Sequence, residues 1–393
     1  MEFEFTEKQK AWQQEIQNFI KENAKPELME ELKNSTGANG PHHKAWIKKI
    51  ADKGWLGAGW PREYGGLGWG TFEQWIITDA LDYAGVPGAG TGVTQIGPTI
   101  MKVASEEMKK EYLPRIISGE MEFVLGYSEP NAGTDLASLN TRAVIDGDDF
   151  VINGQKIWNS GAHYCSHQWL AVRTDTDAPK HKGISVLIVP MDCPGITVRP
   201  LWTWGDIRTN ETFFDDVRVP RKSLVGEINQ GWSYITMALD LERTAIGPSG
   251  RMRRLLEKLV EYAGETQHQG QLLSQHPVVR QQLAGLANDL KVNRLFSLKC
   301  AWMFDQGVIP NKEAQMVKVF STELRTRLAD VGMQIMGLFG QLKKGSNWAP
   351  LAGEIEHFYR AAPFLRFGGG TNEVLRDIIA RRGLGLPRHQ PTP

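Results

Sequence analysis

The chain has 393 residues, 41% hydrophobic and 23% charged, enough to bury a large core in two or three layers or domains. Its 45 basic residues balance 45 acidic ones, which argues against nucleic acid or an acidic membrane surface as partner and favours a small molecule. Three cysteines, Cys165, Cys193 and Cys300, are scattered without metal-ligand spacing, so neither a thiolate metal site nor a disulfide framework is expected.

The start, MEFEFTEKQK, is acidic and polar, and no run of eighteen apolar residues follows, so the chain reads as soluble and cytoplasmic. Thr6 with Gln9 forms a capping box, and Trp12, Ile16, Phe19 and Ile20 recur at helical spacing. Residues 60–70, WPREYGGLGWG, predict a loop with unusual backbone conformations. Met108, Tyr112, Leu113, Ile116 and Ile117 predict another helix ending near Gly119. From Met121 the period becomes extended: Phe150 to Ile152 run into Asn153-Gly154, which predicts a hairpin returning through Ile157 and Trp158. Strands are expected at 183–190, 196–201 and 211–220, giving a small antiparallel barrel or sandwich. Beyond it, Val279, Leu283, Leu286, Leu290, Leu298 and Trp302 mark one helical face, and Phe320, Leu324, Leu328 and Val331 another. The expected class is α+β and multi-layered: a helical domain over 1–120, a β domain over 121–226 and a helical bundle over 227–393, ending in a Pro-containing tail after Gly385.

Two segments carry candidate chemistry. In YSEPNAGTDLASL (127–139), Gly133, Thr134 and Asp135 form a turn that can offer backbone N–H groups and a hydroxyl to a phosphate, or simply lead into the β domain. In KIWNSGAHY (156–164), Trp158 and Ser160 stand two apart; on an extended segment they face the same way and can contact one planar ligand, although a core Trp beside a turn Ser reads the same.

These motifs, with PREYGGLGWG, ALDLERTAIG and FGGGTNEVLRDIIARR, occur in the order and spacing of the acyl-CoA dehydrogenase family, which the chain resembles over residues 55–385. The resemblance implies a helical N-terminal domain, a middle β domain and a C-terminal four-helix bundle, with FAD between the last two. It implies that Leu125, Tyr127 and Ser128 contact the flavin, that Thr134 binds the pyrophosphate, and that Trp158 and Ser160 pack on and hydrogen-bond to the ring. Ser160 stands where the family often has Thr, which keeps the hydroxyl. Thr371 and Glu373 match positions near the dinucleotide, though Thr371 also suits a helix N-cap.

Much of the family carries its base in a Tyr-Glu-Gly-Thr motif, where this chain has Gly368, Gly369, Gly370 and Thr371. A subset that includes the isovaleryl and long-chain enzymes carries it one residue before an Arg on the earlier helix; Glu242, followed by Arg243, matches that place. By the same similarity Asp240 and Arg243 lie near the CoA moiety, with helix salt bridges as the competing reading, and the Gly369 N–H supports the enolate oxygen. Gly368 and Gly369, standing where the family has an aromatic residue and the Glu, leave room for a branched, cyclic or polycyclic acyl group, with Gly370 beside it at the substrate, unless the three glycines answer a strained turn. The family's in-trans FAD contacts are half kept: Gln334 and Gly337 remain, but Thr266, Gln269 and Leu338 depart. The resemblance implies an acyl-CoA substrate, an electron-transfer flavoprotein as acceptor, and a homotetramer or a heterotetramer with a homologous subunit. A non-catalytic flavin-binding scaffold is the rival reading, and Glu242 is the feature that speaks against it.

Overall fold

Thr6 starts the first helix as a capping box: its hydroxyl accepts from the Gln9 N–H, while the Gln9 side chain accepts from the Thr6 N–H. The computed structural model describes residues 4–34, 39–245 and 248–387, leaving aside the side chains of residues 34 and 240–245. Asp240, Glu242 and Arg243 therefore have backbone but no side chain among the described residues. Six helices come first: α1 (Glu7–Asn23), α2 (Pro26–Asn34), α3 (Pro41–Asp52), α4 (Thr71–Ala84), α5 (Gly97–Val103) and α6 (Glu106–Ile117). Between α3 and α4 the Trp- and Gly-rich segment loops as expected, with Gly65 and Gly68 at φ 85° and 64°. A single π-helical turn, Gly92–Ile96, leads into α5.

The β domain comprises β1 (Phe123–Gly126), β2 (Arg142–Asp146), β3 (Asp149–Ile157), β4 (His167–Arg173), β5 (Ile184–Pro190), β6 (Ile196–Trp202) and β7 (Arg208–Pro220). Two sequence expectations need correction. The sheet is mixed rather than antiparallel, because β1 lies parallel to β4, and Arg142 of β2 pairs in parallel with Arg173 of β4. β4 is covered on one face by the core of the N-terminal helices and on the other by the interior of the β domain, which is why Trp169 to Val172 are all apolar and all buried. The hairpin joining β2 to β3 turns at Gly147-Asp148, where Asp146 pairs with Asp149 and Gly147 has φ 61°. Asn153-Gly154 instead lies within β3 at a bulge against β7: the Asn153 side chain donates to Asp216 Oδ1 and accepts from the Asp216 N–H, both at 2.9 Å.

Next come α7 (Gly231–Ala245), α8 (Gly250–Glu265), a small hairpin of β8 (Gln267–His268) and β9 (Gln271–Leu272), α9 (Pro277–Asp305), α10 (Asn311–Met336), α11 (Glu354–Ala361) and α12 (Asn372–Ile378). Gln269 and Gly270, both at positive φ, close the small hairpin. On α9 the predicted face is buried from Val279 to Leu298, but Trp302 is exposed. On α10, Leu324 and Leu328 are fully buried, with Phe320 and Val331 at the margin.

Packing divides at β4 and β5. Trp169, Ala171, Val186 and Ile188 join Ile96, Ile100 and Ile235 in the core of the N-terminal helices, while Leu170, Val172, Leu187 and Val189 join Phe150, Ile152 and Phe214 inside the β domain. Alternate residues of the same two strands thus fasten the domains together. The C-terminal helices keep their own core of Leu255, Leu259, Leu324, Leu328, Ile355 and Phe358. No helix among the described residues is long and apolar enough to cross a membrane.

Candidate active site

Two chain segments meet where β1 and β3 end. Leaving β1, the backbone turns at Pro130-Asn131, with Glu129 and Ala132 exchanging both backbone hydrogen bonds at 3.0 and 3.1 Å. Glu129 closes the larger loop that follows: its carboxylate accepts from the N–H groups of Asn140 and Thr141 at 2.6 and 2.8 Å. At the other side Arg173 donates to the carbonyls of Ala137, Leu139 and Lys180. Gly133 and Thr134 stand at the exposed tip, where a Cβ on Gly133 would meet nothing.

Lys156, fully buried on β3, ties this loop to the strand by donating to the Tyr127 carbonyl at 3.0 Å and to Glu129 Oε1 at 2.8 Å. Burial pushes the Lys156 ammonium down to about 8 despite the neighbouring carboxylate. Burial acts to raise Glu129, but the charge and hydrogen bond of Lys156, with the bonds from Thr141 and Asn140, hold it below the usual range. Neither residue stood among the sequence candidates, although Lys156 at an inward position of a strand was a readable signal.

β3 stops at Ile157, whose N–H donates to the Ser128 carbonyl at 2.9 Å. Trp158 is left-handed, with φ 65°, and 53% exposed. The expectation that Trp158 and Ser160 continue a strand and face alike is thus overturned; the Ser160 N–H bonds back to the Trp158 carbonyl at 2.9 Å in a tight turn. Asn159 forces that turn. Its amide donates to the Leu125 carbonyl at 2.7 Å, and its backbone exchanges bonds with the Asn210 carbonyl and side chain. The Ser160 hydroxyl donates to Thr209 Oγ1 at 3.2 Å. Leu125, Tyr127, Ser128, Trp158 and Ser160 are therefore joined in one bonded cluster, and Asn159, Asn210 and Thr209 were the missed members. A non-glycine residue at positive φ beside such a cluster is typical of functional sites.

The glycine triplet lies elsewhere in the chain, before α12. Gly369 and Gly370 have φ of 69° and 101°, so their identity answers backbone strain, whereas Gly368 has ordinary φ and open space around it. Lys318 of α10, fully buried, pins this loop by donating to the Arg366 and Gly370 carbonyls and to Asn372 Oδ1 at 3.0, 2.7 and 2.9 Å. Thr371 is the N-cap of α12, accepting from the Val374 N–H at 3.3 Å. The Glu373 carboxylate is largely exposed, 4.0 Å from Arg366. Gln334, near the end of α10, bonds Gln282 and Asp330, neither of which belongs to the Leu125 to Ser160 cluster. Gly337 has φ 58°, and Leu338 beyond it is 83% exposed. Thr266 ends α8 and Gln269 sits in the turn of the small hairpin.

Comparison with known families gives matches to the N-terminal, middle and C-terminal domains of acyl-CoA dehydrogenase over residues 6–120, 124–217 and 229–384. The chain belongs to the acyl-CoA dehydrogenase family. It is 39% identical to the acyl-CoA dehydrogenase FadE26 of Mycobacterium tuberculosis, each chain being 99% covered. Among solved structures it resembles the Tcur3481-Tcur3483 steroid ACAD, at TM-score 0.92 and 40% identity over 99% of this chain and 100% of that one. The ChsE4-ChsE5 complex from Mycobacterium tuberculosis matches at TM-score 0.92 and 39% identity, with the same coverage. This acyl-CoA dehydrogenase is thus an oxidoreductase of a family that generally depends on FAD.

Proposed function

We propose that the chain dehydrogenates a bulky acyl-CoA thioester between its α and β carbons, with FAD held at the Leu125 to Ser160 cluster. The observation that carries this reading is Trp158: a half-exposed indole in a left-handed conformation, at the rim of a loop whose tip offers Gly133 and Thr134. These residues fit the group. The indole suits the flat ring, the Ser160 hydroxyl can reach its edge, and the open turn at Gly133 leaves room for the pyrophosphate. When bound, FAD supplies the acceptor for the hydride leaving the β carbon.

The protein supplies the rest. Glu242, in the last turn of α7, takes the α proton in this reading, and the Gly369 N–H donates to the thioester oxygen as negative charge gathers there. Lys318 fixes the loop on which that N–H sits. Asp240, Arg243, Gly368 and Gly370 border the acyl-CoA, while Thr371, Glu373 and Gln334 serve the dinucleotide side. A polycyclic acyl group is favoured by the open space at Gly368 and by likeness to a steroid-acting relative.

The named solved pairs, Tcur3481-Tcur3483 and ChsE4-ChsE5, favour a tetramer that includes a homologous second chain. Electrons then pass to an electron-transfer flavoprotein. The test is anaerobic titration of the purified yellow protein, alone or with its partner, with a panel of acyl-CoAs. Bleaching by ring-bearing acyl-CoA supports the reading; a preparation that cannot be loaded with FAD in either form overturns it.

A further inference from the structure

Four helices meet beside Asp82: the end of α4, the first turns of α8, the middle of α10 and the body of α11. The Arg251 N–H donates to Asp82 Oδ2 at 2.8 Å, and the guanidinium carbons of Arg251 and Arg325 each lie 5.3 Å from the centre of the Phe358 ring. Glu354, at the start of α11, has its two carboxylate oxygens taken by Arg254 and Lys258, at 3.2 and 2.5 Å. Four cationic side chains thus face two carboxylates, and Arg251 and Arg325 are the pair left over. Among the described residues neither has a carboxylate oxygen within 4.0 Å, and Arg251 Nε is closed off from solvent without a hydrogen-bond partner.

We propose that this junction binds a small oxyanion of the size and charge of phosphate, held between the Arg251 and Arg325 guanidiniums. Both side chains are half-buried, where a charge without a counter-ion is costly, and a guanidinium fork matches a tetrahedral oxyanion with two parallel hydrogen bonds. The excess of positive charge is felt by its neighbours. Burial pushes Arg325 down to about 10, with Asp82 opposing and the Arg251 charge adding to the fall; burial likewise lowers Arg251 against the pull of Glu354 and Asp82. Burial, then the charges of Arg251 and Arg360, hold the His357 imidazole below its usual range. Arg325 stands seven residues, two helical turns, from Lys318, which grips the glycine loop, and α11 leads into that same loop. A bound anion would fasten α8 to α10 and α11 at that point.

The experiment compares the FAD-loaded enzyme, with its partner chain where it takes one, in phosphate and in chloride at equal ionic strength and pH. Phosphate should raise the Tm of the native enzyme by about 3 °C more than that of Arg325→Met, a difference from which the general salting-out effect cancels. In chloride, Arg325→Met should melt no lower than the native enzyme, because it sheds an unpaired charge. Arg251→Met should lose the phosphate gain in the same way, and Arg325→Lys should keep part of it; FAD absorbance reports that each is folded. Isothermal titration of the native enzyme with phosphate should show saturable binding. A merely structural stack on Phe358 gives a different result: Arg325→Met melts lower by the same amount in both salts. That result, or no saturable phosphate binding by the native enzyme, would overturn the proposal. Competition of phosphate with acyl-CoA would assign the two arginines to the phosphates of the substrate and overturn it too. The melting and titration arms need no turnover, so an enzyme that binds phosphate here but whose flavin no acyl-CoA reduces would lose only the dehydrogenase reading.

Discussion

Lys156 and Glu129 form a buried ion pair, 2.8 Å apart, that bolts β3 to the loop ending in Gly133 and Thr134. Removing one partner strands the other in a low-dielectric interior, which costs about 3–5 kcal/mol. Lys156→Met should therefore lower unfolding free energy by roughly that amount and release FAD, read by denaturant melts and by flavin absorbance after gel filtration. Full FAD occupancy and native stability in the variant would remove the pair from the account of this site.

The same pair sets an acid limit. Glu129 has a folded pKa below its ordinary 4.5, so its contribution is complete above that value and is lost as pH falls through the folded one. Melting temperatures of native protein and Glu129→Gln should differ at neutral pH and converge in acid below 4.5. Parallel curves throughout would contradict the linkage.

Trp158→Ala should separate binding from folding. Because the indole is 53% exposed, its loss should change stability little, but removing an aromatic contact should weaken FAD binding by about 1 kcal/mol. Isothermal titration of apoprotein with FAD measures it; unchanged affinity would show that the ring packs elsewhere.

Glu242→Gln should keep FAD and abolish its reduction by substrate, a loss of at least about a hundredfold in single-turnover rate. Gly369→Ala should cost about 1 kcal/mol or more of stability, because alanine at φ 69° is strained, and should slow the same step. Rapid reduction by the glutamine variant would place the base on another residue.

How much of this was legible in sequence depended on how local the cause was. The Thr6 capping box, the α9 core face as far as Leu298, the Leu324 and Leu328 face of α10 and the Thr371 cap arise within a few residues, and the sequence carries them. Asn153-Gly154 misled because a turn dipeptide and a bulge partner have the same composition; only β7, sixty residues on, distinguishes them. The Trp158 turn failed for a similar reason, since Asn159 is drawn out of the strand by Asn210 and Leu125. Parallel pairing of β1 with β4 has no local signature beyond the unbroken apolar run of β4.

Assembly gives a further prediction. Leu338 and Phe339 are 83% and 53% exposed just past α10, an apolar pair suited to cover by another subunit. Co-expression with a homologous partner chain should raise FAD content and yield one tetrameric species by native mass spectrometry. Complete flavination and turnover from this chain alone would decide for a homotetramer.

Between Lys318 and Leu338 lies most of α10, a continuous helical rod. Eighteen residues separate Lys318 from the helix end at Met336, a lever arm of roughly 27 Å at 1.5 Å per residue. A tilt of about 2° at the exposed end would displace the carbonyls gripped by Lys318 by about 1 Å, a misplacement large enough to cost about a hundredfold in rate. In the proposed reading, subunit docking at Leu338 and the aim of the Gly369 N–H share one mechanical part, so substitutions at Leu338 should be assayed for turnover as well as for mass.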